Sequence, residues 1–468
     1  MLTTRIRHLY VHVPFCRARC DYCEFYSVPA RCCDVAPDEA VADTCDTSTY
    51  GPGPRRSCGD SALDRYVDAV LAELALERSA GGVGPLHTVF FGGGTPSLLG
   101  EERLERVYSA LEPLLTPHAE VTVETNPEDV TLAYARWAAR RRVRVSLGVQ
   151  SFDLRLRDVL GRRAQADPAE ACACLRAAGV ANVGIDLIFG IPGQTAGDLQ
   201  RELAQVARLQ PDHVSWYELS APPGSPLAAR LAAGETALPD DDEQAALFRS
   251  VVRGLGRLGY RWYEVSNFAR PGRRCRHNSA VWRGESYLGL GPAAVGTFGD
   301  VRRQNRPDLA AYLAALAPRG GAEGDAQRGA DAGPAGSGRG RADGRPAPAA
   351  AARDAEEAGA GSWPVVPPRT EEHLSATVRA NERLMLAART GAALPLGELG
   401  DCLDRAALPA FVKAGFVREA GGTLRVTRKG RHVANAVCVR LFRDSCLEGT
   451  NRRGKRPAES SSPPEVTT

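Results

Sequence analysis

"YVHVPFCRARCDYCEFY", residues 10–26, is the stretch on which the reading of the chain turns. Residues 8–15, "HLYVHVPF", alternate like a β-strand that stops at a proline. Directly after it stand Cys16, Cys20 and Cys23, a C-x3-C-x2-C array. Three soft ligands this close point to a metal group, yet structural zinc sits in a closed tetrahedron and needs a fourth ligand. Two readings stay open on these residues. A zinc knuckle would be completed by His12 or Cys32. Alternatively, the thiolates hold an iron–sulfur cluster. A [4Fe–4S] cube on three cysteines leaves one iron without a protein ligand, and a small molecule can bind there.

Outward from the array, strand-like and helical segments alternate. Residues 29–60 are rich in Pro, Asp, Thr, Gly and Cys and are expected to form a disordered insert. In residues 61–79, Leu63, Tyr66, Val67, Val70, Leu71 and Leu74 recur at helical spacing, with Ser61 as N-cap and Asp64 in the first turn. Strands are predicted at 87–94, 120–127, 143–151, 182–195 (running into a loop) and 212–219, with helical patterns between them. Repeated β-α units imply parallel strands with helices outside. With the first strand they make six, short of the eight of a closed barrel. The expected class is α/β, a partial, open (β/α)6 barrel formed by 1–28 and 61–239, with a doubly wound sheet as the alternative.

Residues 240–318 extend this unit with a helix, a strand ("YRWYEVSNFA") and a helix near 307–317. Residues 319–362 contain no apolar side chain larger than Ala, and 319–370 is read as a low-complexity linker. Residues 371–442 read as three helices and a hairpin around Gly421 and Gly422, a small winged-helix-like α+β domain, before a polar tail at 443–468.

A net charge of +3 makes no bulk-charge case for nucleic acid or an anionic membrane, and "RKGRH" near the hairpin does not change that. No apolar run reaches the roughly 18 residues of a spanning helix. The N-terminus passes almost straight into a strand without an apolar targeting segment, which predicts a cytoplasmic protein. In that compartment the thirteen cysteines are not a disulfide framework.

Tyr22 stands just before Cys23, giving C-x3-C-x-aromatic-C. Further along come "FFGGGTPSLL", "VTVETNP", "SLGVQSF", "IDLIFGIPGQT", "YEVSNFARPG", "CRHN" and "YLGLG", in that order and at strand ends. With "YVHVPFC" they resemble the radical S-adenosylmethionine (SAM) superfamily and, within it, the anaerobic coproporphyrinogen oxidase and haem-chaperone family. The resemblance covers most of 8–317 and resumes at 371–442. It implies a radical-SAM partial barrel with a [4Fe–4S] cluster on Cys16, Cys20 and Cys23. SAM would bind the open iron; such enzymes reduce it with an electron donor to form a 5′-deoxyadenosyl radical. SAM contacts are implied for Tyr10, Tyr22, Gly93, Gly94, Thr95, Glu124, Gln150, Arg162 and Asp186, with "IFGIPGQT" against adenine. Each assignment has a physical counterpart. Glycines let backbone approach a ligand, Glu124 and Asp186 can accept from ribose hydroxyls, and Arg162 can pair with a carboxylate. The competing readings are a plain tight turn, a salt bridge or a loop cap.

Phe25 bears on the branch. The oxidases resemble C-x3-C-x2-C-x-C, whereas Cys23-Glu24-Phe25 resembles the haem chaperones, which bind haem and pass it to haem-accepting proteins such as respiratory enzymes. Membrane contact would then be peripheral, through the recipient. An H-N-x-x-Y-W segment associated with haem appears as "HNSAVW", which makes His277, Asn278 and Trp282 haem-binding candidates, with Val281 in place of tyrosine. A neutral imidazole is a good axial ligand and Trp can stack on a porphyrin. Cys275 could offer a thiolate instead, or His277 and Asn278 could form a hydrogen-bonded pair anchoring a loop. Two further histidines of the family pattern are Ala164 and Val295 here. The expected function is a haem chaperone; the alternatives are an oxygen-independent coproporphyrinogen III oxidase and another radical-SAM modifier.

Overall fold

The alternation in "IRHLYVHV" becomes the first strand, β1 (Ile6–Val13). Leu9, Val11 and Val13 are buried on one face, and His8, Tyr10 and His12 share the other. The protein was analysed as a computed structural model that describes residues 6–30, 59–164, 166–317 and 366–441. The bulk of the insert expected at 29–60, the linker up to residue 365 and the tail lie outside the described residues, as does Cys32.

Five more strands follow: β2 (Val83–Gly93), β3 (Leu115–Thr125), β4 (Arg144–Gln150), β5 (Val183–Phe189) and β6 (His213–Glu218). They alternate with α1 (Gly59–Ser79), α2 (Gly100–Leu111), α3 (Leu132–Arg140), α4 (Leu154–Val159), α5 (Pro168–Ala177) and α6 (Ala196–Leu209); α7 (Pro226–Ala232) and α8 (Asp241–Arg257) come after β6. Helix starts are fixed by side chains that accept first-turn N–H groups, among them Thr131, Asp153, Asp167, Thr195 and Asp240. The six strands pair in parallel in chain order, without reversal. A doubly wound sheet would reverse its order at a switch point, so the wall is that of a partial barrel. Outward side chains such as Val89, Phe91, Val123, Val145 and Ile185 share one core with Tyr66, Val67, Val70 and Leu74 of α1. The opposite, polar face lines the lumen.

Both edges of the parallel wall are extended. Beyond β6, "YRWYEVSNFA" is two strands and not one: β7 (Arg261–Glu264) and β8 (Asn267–Ala269) form an antiparallel hairpin. The Glu264 carboxylate makes the reversal by accepting from Ser266 N–H and Asn267 Nδ2. Helix α9 (Arg276–Trp282) follows, and β9 (Leu288–Leu290) then pairs in parallel with the free side of β1. Next, β10 (Val295–Phe298) and β11 (Val301–Asn305) precede α10 (Leu309–Leu316) and form an antiparallel sheet with β12 (Arg369–His373). Arg369 and Thr370, at the end of the expected linker, are therefore already in a strand. Helix α1 starts at Gly59, so Ser61 lies inside it and is not its cap. Strands β2 and β3 begin ahead of the expected 87 and 120. Pro85 and Pro117 interrupt the apolar pattern there without ending the strands.

Residues 376–441 have a separate core that includes Leu384, Leu399, Leu424 and Val437. After α11 (Ala376–Thr390), the hairpin Val417–Ala420 with Thr423–Val426 is present, joined by a third strand, Ala393–Pro395; helices Arg428–Arg431 and Ala434–Leu441 follow it. This unit is tied to the barrel extension by Arg389 against the fully buried Glu264 (2.6 Å) and by the Arg431 guanidinium 3.9 Å over the Trp262 ring. No helix among the described residues is long and apolar enough to cross a membrane.

One buried carboxylate fastens the β9 side of the wall to α1. Glu73 accepts from Gly291 N–H (2.9 Å), Asn305 Nδ2 (2.7 Å) and the Tyr312 hydroxyl (2.6 Å). Replacing it leaves three donors unpaired in the core. Glu73→Ala is expected to cost about 3 kcal/mol, read as a lower denaturant midpoint, with Glu73→Gln losing less.

Candidate functional site

The cysteine array leaves the C-terminal end of β1 as a loop closed at its base. Phe15–Cys16 pairs in parallel with Val28–Pro29, and Val28 N–H and Ala30 N–H bond Pro14 O (2.7 Å) and Cys16 O (2.9 Å). Pro29, placed in the insert by sequence, is thus part of this closure. The loop rests on the turn after β2. Gly94 N–H donates to Val13 O and Thr95 N–H to Phe15 O, both at 2.7 Å. A Cβ on Gly94 would lie 2.6 Å from Phe15 O, and Gly93 has φ +105° with its Hα side against the His12 ring. These two glycines therefore let the cysteine loop lie flush on β2, a packing duty that a ligand role would have to share.

Cys16, Cys20 and Cys23 are partly exposed and unbridged, whereas the other described cysteines, Cys172, Cys174, Cys275, Cys402 and Cys438, lie elsewhere in the fold. Burial raises the Cys20 and Cys23 thiol pKa values; the Arg162 charge opposes this at Cys20. Among the described residues no three His, Cys, Asp or Glu side chains converge as they would around a single ion. His12 is engaged at both ring nitrogens: Nε2–H donates to Tyr26 O (2.9 Å), and Nδ1 accepts from the Tyr10 hydroxyl (3.1 Å). It is not available as a fourth zinc ligand. Three thiols on one loop, with His12 engaged elsewhere, match the donor set of a cluster better than the closed tetrahedron of structural zinc.

Asn126, which sequence reasoning passed over inside "VTVETNP", connects several of the candidates. Thr95 Oγ1 donates to Cys16 Sγ (3.6 Å) and accepts from Asn126 Nδ2 (3.2 Å), while Asn126 Oδ1 accepts from Arg162 (2.8 Å). Arg162 also lies 3.9 Å from Glu128, a salt bridge of the kind that competes with a ligand role for this residue. Tyr22 packs on Leu156, Leu160, Ile188 and Leu227, with its hydroxyl on Cys20. Gln150 ends β4 with φ +64°, a left-handed conformation unusual for a residue with a side chain.

Glu124 and Asp186 stand on the two strands that flank β4, within electrostatic reach of each other. Burial, then the Asp186 charge, pushes Glu124 up to about 8, against the Gly93 N–H and Arg144. Burial also raises Asp186, opposed by Ser215, Arg144 and Ser146, whose hydroxyl donates at 3.0 Å. Two carboxylates crowded in this way are ready acceptors and donors for hydroxyl groups of a ligand.

On the β1–β2 side the lumen opens into a cavity of about 520 Å³, within the range of about 300–1,000 Å³ that small-molecule sites occupy. Glu24, Phe25 and Tyr26 from the cysteine loop form one wall; His277, Asn278, Val281 and Trp282 from α9 form another; Tyr10 and Phe90 lie between them. The structure thus joins Tyr10 to the haem candidates, while Glu124, Gln150, Arg162 and Asp186 do not line this cavity. His277 is buried and, by desolvation, shifted down to about 3, so its imidazole is neutral. Its Nδ1 bonds Thr88 and not Asn278, and it sits on a helix, so the loop-anchoring pair does not form. Cys275 is removed as an axial candidate: it is fully buried outside the cavity wall, its thiol faces Glu120 at 3.7 Å, and burial pushes it up to about 12. Val281 and Val295, the departures from the family pattern, both line the cavity; Ala164 does not, and its carbonyl accepts from Arg157.

The raised Glu124 has a measurable cost. The folded chain keeps its proton up to about pH 8, whereas an unfolded carboxyl releases it near 4.5, so stability falls as pH rises between these values. Glu124→Gln is expected to raise the melting temperature of the ligand-free protein at pH 8 and to leave it nearly unchanged at pH 4.5.

Residues 10–206 match the Radical SAM superfamily. Over 442 residues the chain is 34% identical to the heme chaperone HemW of Mycobacterium tuberculosis, an alignment spanning 93% of this chain and 94% of the relative. It is 35% identical over 305 residues to the heme chaperone HemW of Synechocystis, spanning 64% and 67%. The solved coproporphyrinogen III oxidase (HemN) of Escherichia coli, a radical SAM enzyme, has the same fold, with a TM-score of 0.66 at 20% identity over 93% of this chain and 89% of that one. An alignment that runs nearly end to end at this identity settles descent: the chain belongs to the heme chaperone HemW family of the radical SAM superfamily.

Proposed function

We propose that this protein is a haem chaperone that holds haem in the cavity between the cysteine loop and α9. A [4Fe–4S] cluster on Cys16, Cys20 and Cys23 and a SAM molecule would lie beside it, and the haem would pass to a haem-accepting protein such as a respiratory enzyme. The observation that carries this reading is the cavity of about 520 Å³, which brings Phe25 of the cysteine loop and His277, Asn278 and Trp282 of α9 to one space. A neutral imidazole, apolar and aromatic walls and a rim open to solvent suit a flat metalloporphyrin. Valines at 281 and 295 make the wall more apolar and leave His277 as its axial candidate.

When bound, the cluster would supply an iron with one coordination position open to the amino-acid end of SAM. The chain's own part is to hold that position ready. Thr95 hydrogen-bonds Cys16, and Arg162 places positive charge near Cys20. Glu124 and Asp186 suit ribose hydroxyls, the Gln150 amide ends the next strand, and Tyr22 props the loop against the apolar cluster beneath it. Phe25, 58% exposed, occupies the place of the oxidases' fourth cysteine and offers the cavity an apolar rim in place of a thiol.

Protein reconstituted without oxygen is expected to hold about four iron and four sulfide per chain. Zinc at one equivalent without sulfide would overturn the cluster. A haem Soret band should persist through gel filtration and weaken in His277→Ala. Formation of protoporphyrinogen from coproporphyrinogen III and SAM would replace the chaperone reading with the decarboxylase.

A further inference from the structure

Beneath the cavity, four polar side chains stand in a row from the surface to His277. Glu285 Oε2 lies 2.9 Å from His8 Nε2, His8 Nδ1 lies 2.8 Å from Thr88 Oγ1, and Thr88 Oγ1 lies 2.9 Å from His277 Nδ1. His8, Thr88 and His277 are each at most 4% exposed, so water does not offer these atoms alternative partners. Nothing in the SAM or cluster machinery uses this row.

The direction of its hydrogen bonds is determined from the outer end. Glu285 is paired through its other oxygen with Arg283 (2.7 and 2.6 Å), which keeps the carboxylate ionised and acceptor-only. His8 Nε2 must then carry a hydrogen. The compensation by Arg283 removes the need for a charged His8, and burial lowers the His8 pKa, so its Nδ1 is a lone pair. Thr88 has one hydroxyl hydrogen and must give it to His8 Nδ1. Its oxygen is left to accept from His277, which therefore carries its hydrogen on Nδ1. The His277 Nε2, which makes no hydrogen bond among the described residues, is then unprotonated.

We infer that Glu285, His8 and Thr88 form a hydrogen-bond relay that fixes His277 in the Nδ1–H tautomer and presents the Nε2 lone pair to the haem iron, an inference that rests on the cavity being the haem site. A hydrogen bond accepted from the far ring nitrogen orients a ligating imidazole and raises its basicity. The three are positioning residues; none of them needs to touch haem. Thr88 and His8 were invisible as a pair in sequence because the β1–β2 register, His8 opposite Thr88, creates the contact.

The test uses full-length protein loaded with haem. Affinity is taken from ferric titrations, and the iron–histidine stretching frequency of the ferrous form reports the hydrogen bond on Nδ1. His277→Ala is expected to abolish the histidine signal; if that signal survives, the ligand assignment is wrong and the relay falls with it. With His277 confirmed, Thr88→Val, nearly isosteric, is expected to weaken haem about tenfold and to lower the stretching frequency, and Thr88→Ser to restore both. Glu285→Ala, at a partly exposed site that cannot unfold the core, is expected to shift the frequency in the same direction by a smaller amount. A wild-type frequency in both Thr88→Val and Glu285→Ala would overturn the relay while leaving His277 as ligand. Should Thr88→Val fail to fold, an unshifted Glu285→Ala alone would overturn it.

Discussion

Two main-chain hydrogen bonds, Gly94 to Val13 and Thr95 to Phe15, hold the cysteine loop on the end of the second strand. Everything chemical in the molecule is arranged around that seam. It fixes where Cys16 leaves the first strand and brings the Thr95 hydroxyl under its sulfur. Through Asn126 and Arg162 the same seam reaches the end of the third strand and the turn after α4. The loop's return leg then closes over His12 and presents Phe25 to the cavity. A side chain at position 94 would meet main-chain oxygen at 2.6 Å, so the constraint is steric as much as electrostatic.

The barrel wall supplies the second ingredient, a division of labour between the faces of each strand. Leu9, Val11 and Val13 of the first strand join the apolar core shared with the helices, and His8, Tyr10 and His12 build the lumen. Apolar burial therefore stabilises the wall independently of what the lumen contains. That is why the lumen can tolerate the mutual repulsion of Glu124 and Asp186 and the desolvation of three histidines. Tyr10 stands where the two halves of the lumen meet. Its hydroxyl is held by His12, its ring lines the cavity, and it lies within electrostatic reach of the Glu124 carboxylate.

How much of this was legible in the sequence depended on whether the information was local. The six β-α units were readable because period, turn residues and caps all lie within one segment. The cysteine array and the carboxylate of Glu124 near a strand end were visible for the same reason. The hairpin at 261–269 was misread as one strand because the carboxylate of Glu264 makes a turn that contains no glycine or proline. Strand 288–290 is too short to show alternation, and the sheet of 295–305 joins residues 369–373 from across the linker. Asn126 and Thr88 matter through partners far away in sequence, which composition and spacing cannot reveal. His8, Tyr10 and His12 did leave a trace: polar residues at every second position of an otherwise apolar strand mark a polar interior.

The short strands on either flank of the wall have one more effect. An open parallel sheet offers unpaired peptide groups along both rims, a template on which another chain can add a strand. Here one rim ends in three residues and the other in a four-residue strand whose Trp262 is roofed by Arg431. Neither is long enough to nucleate an extended ladder, so the barrel can stay unclosed while leaving little edge for another strand to extend.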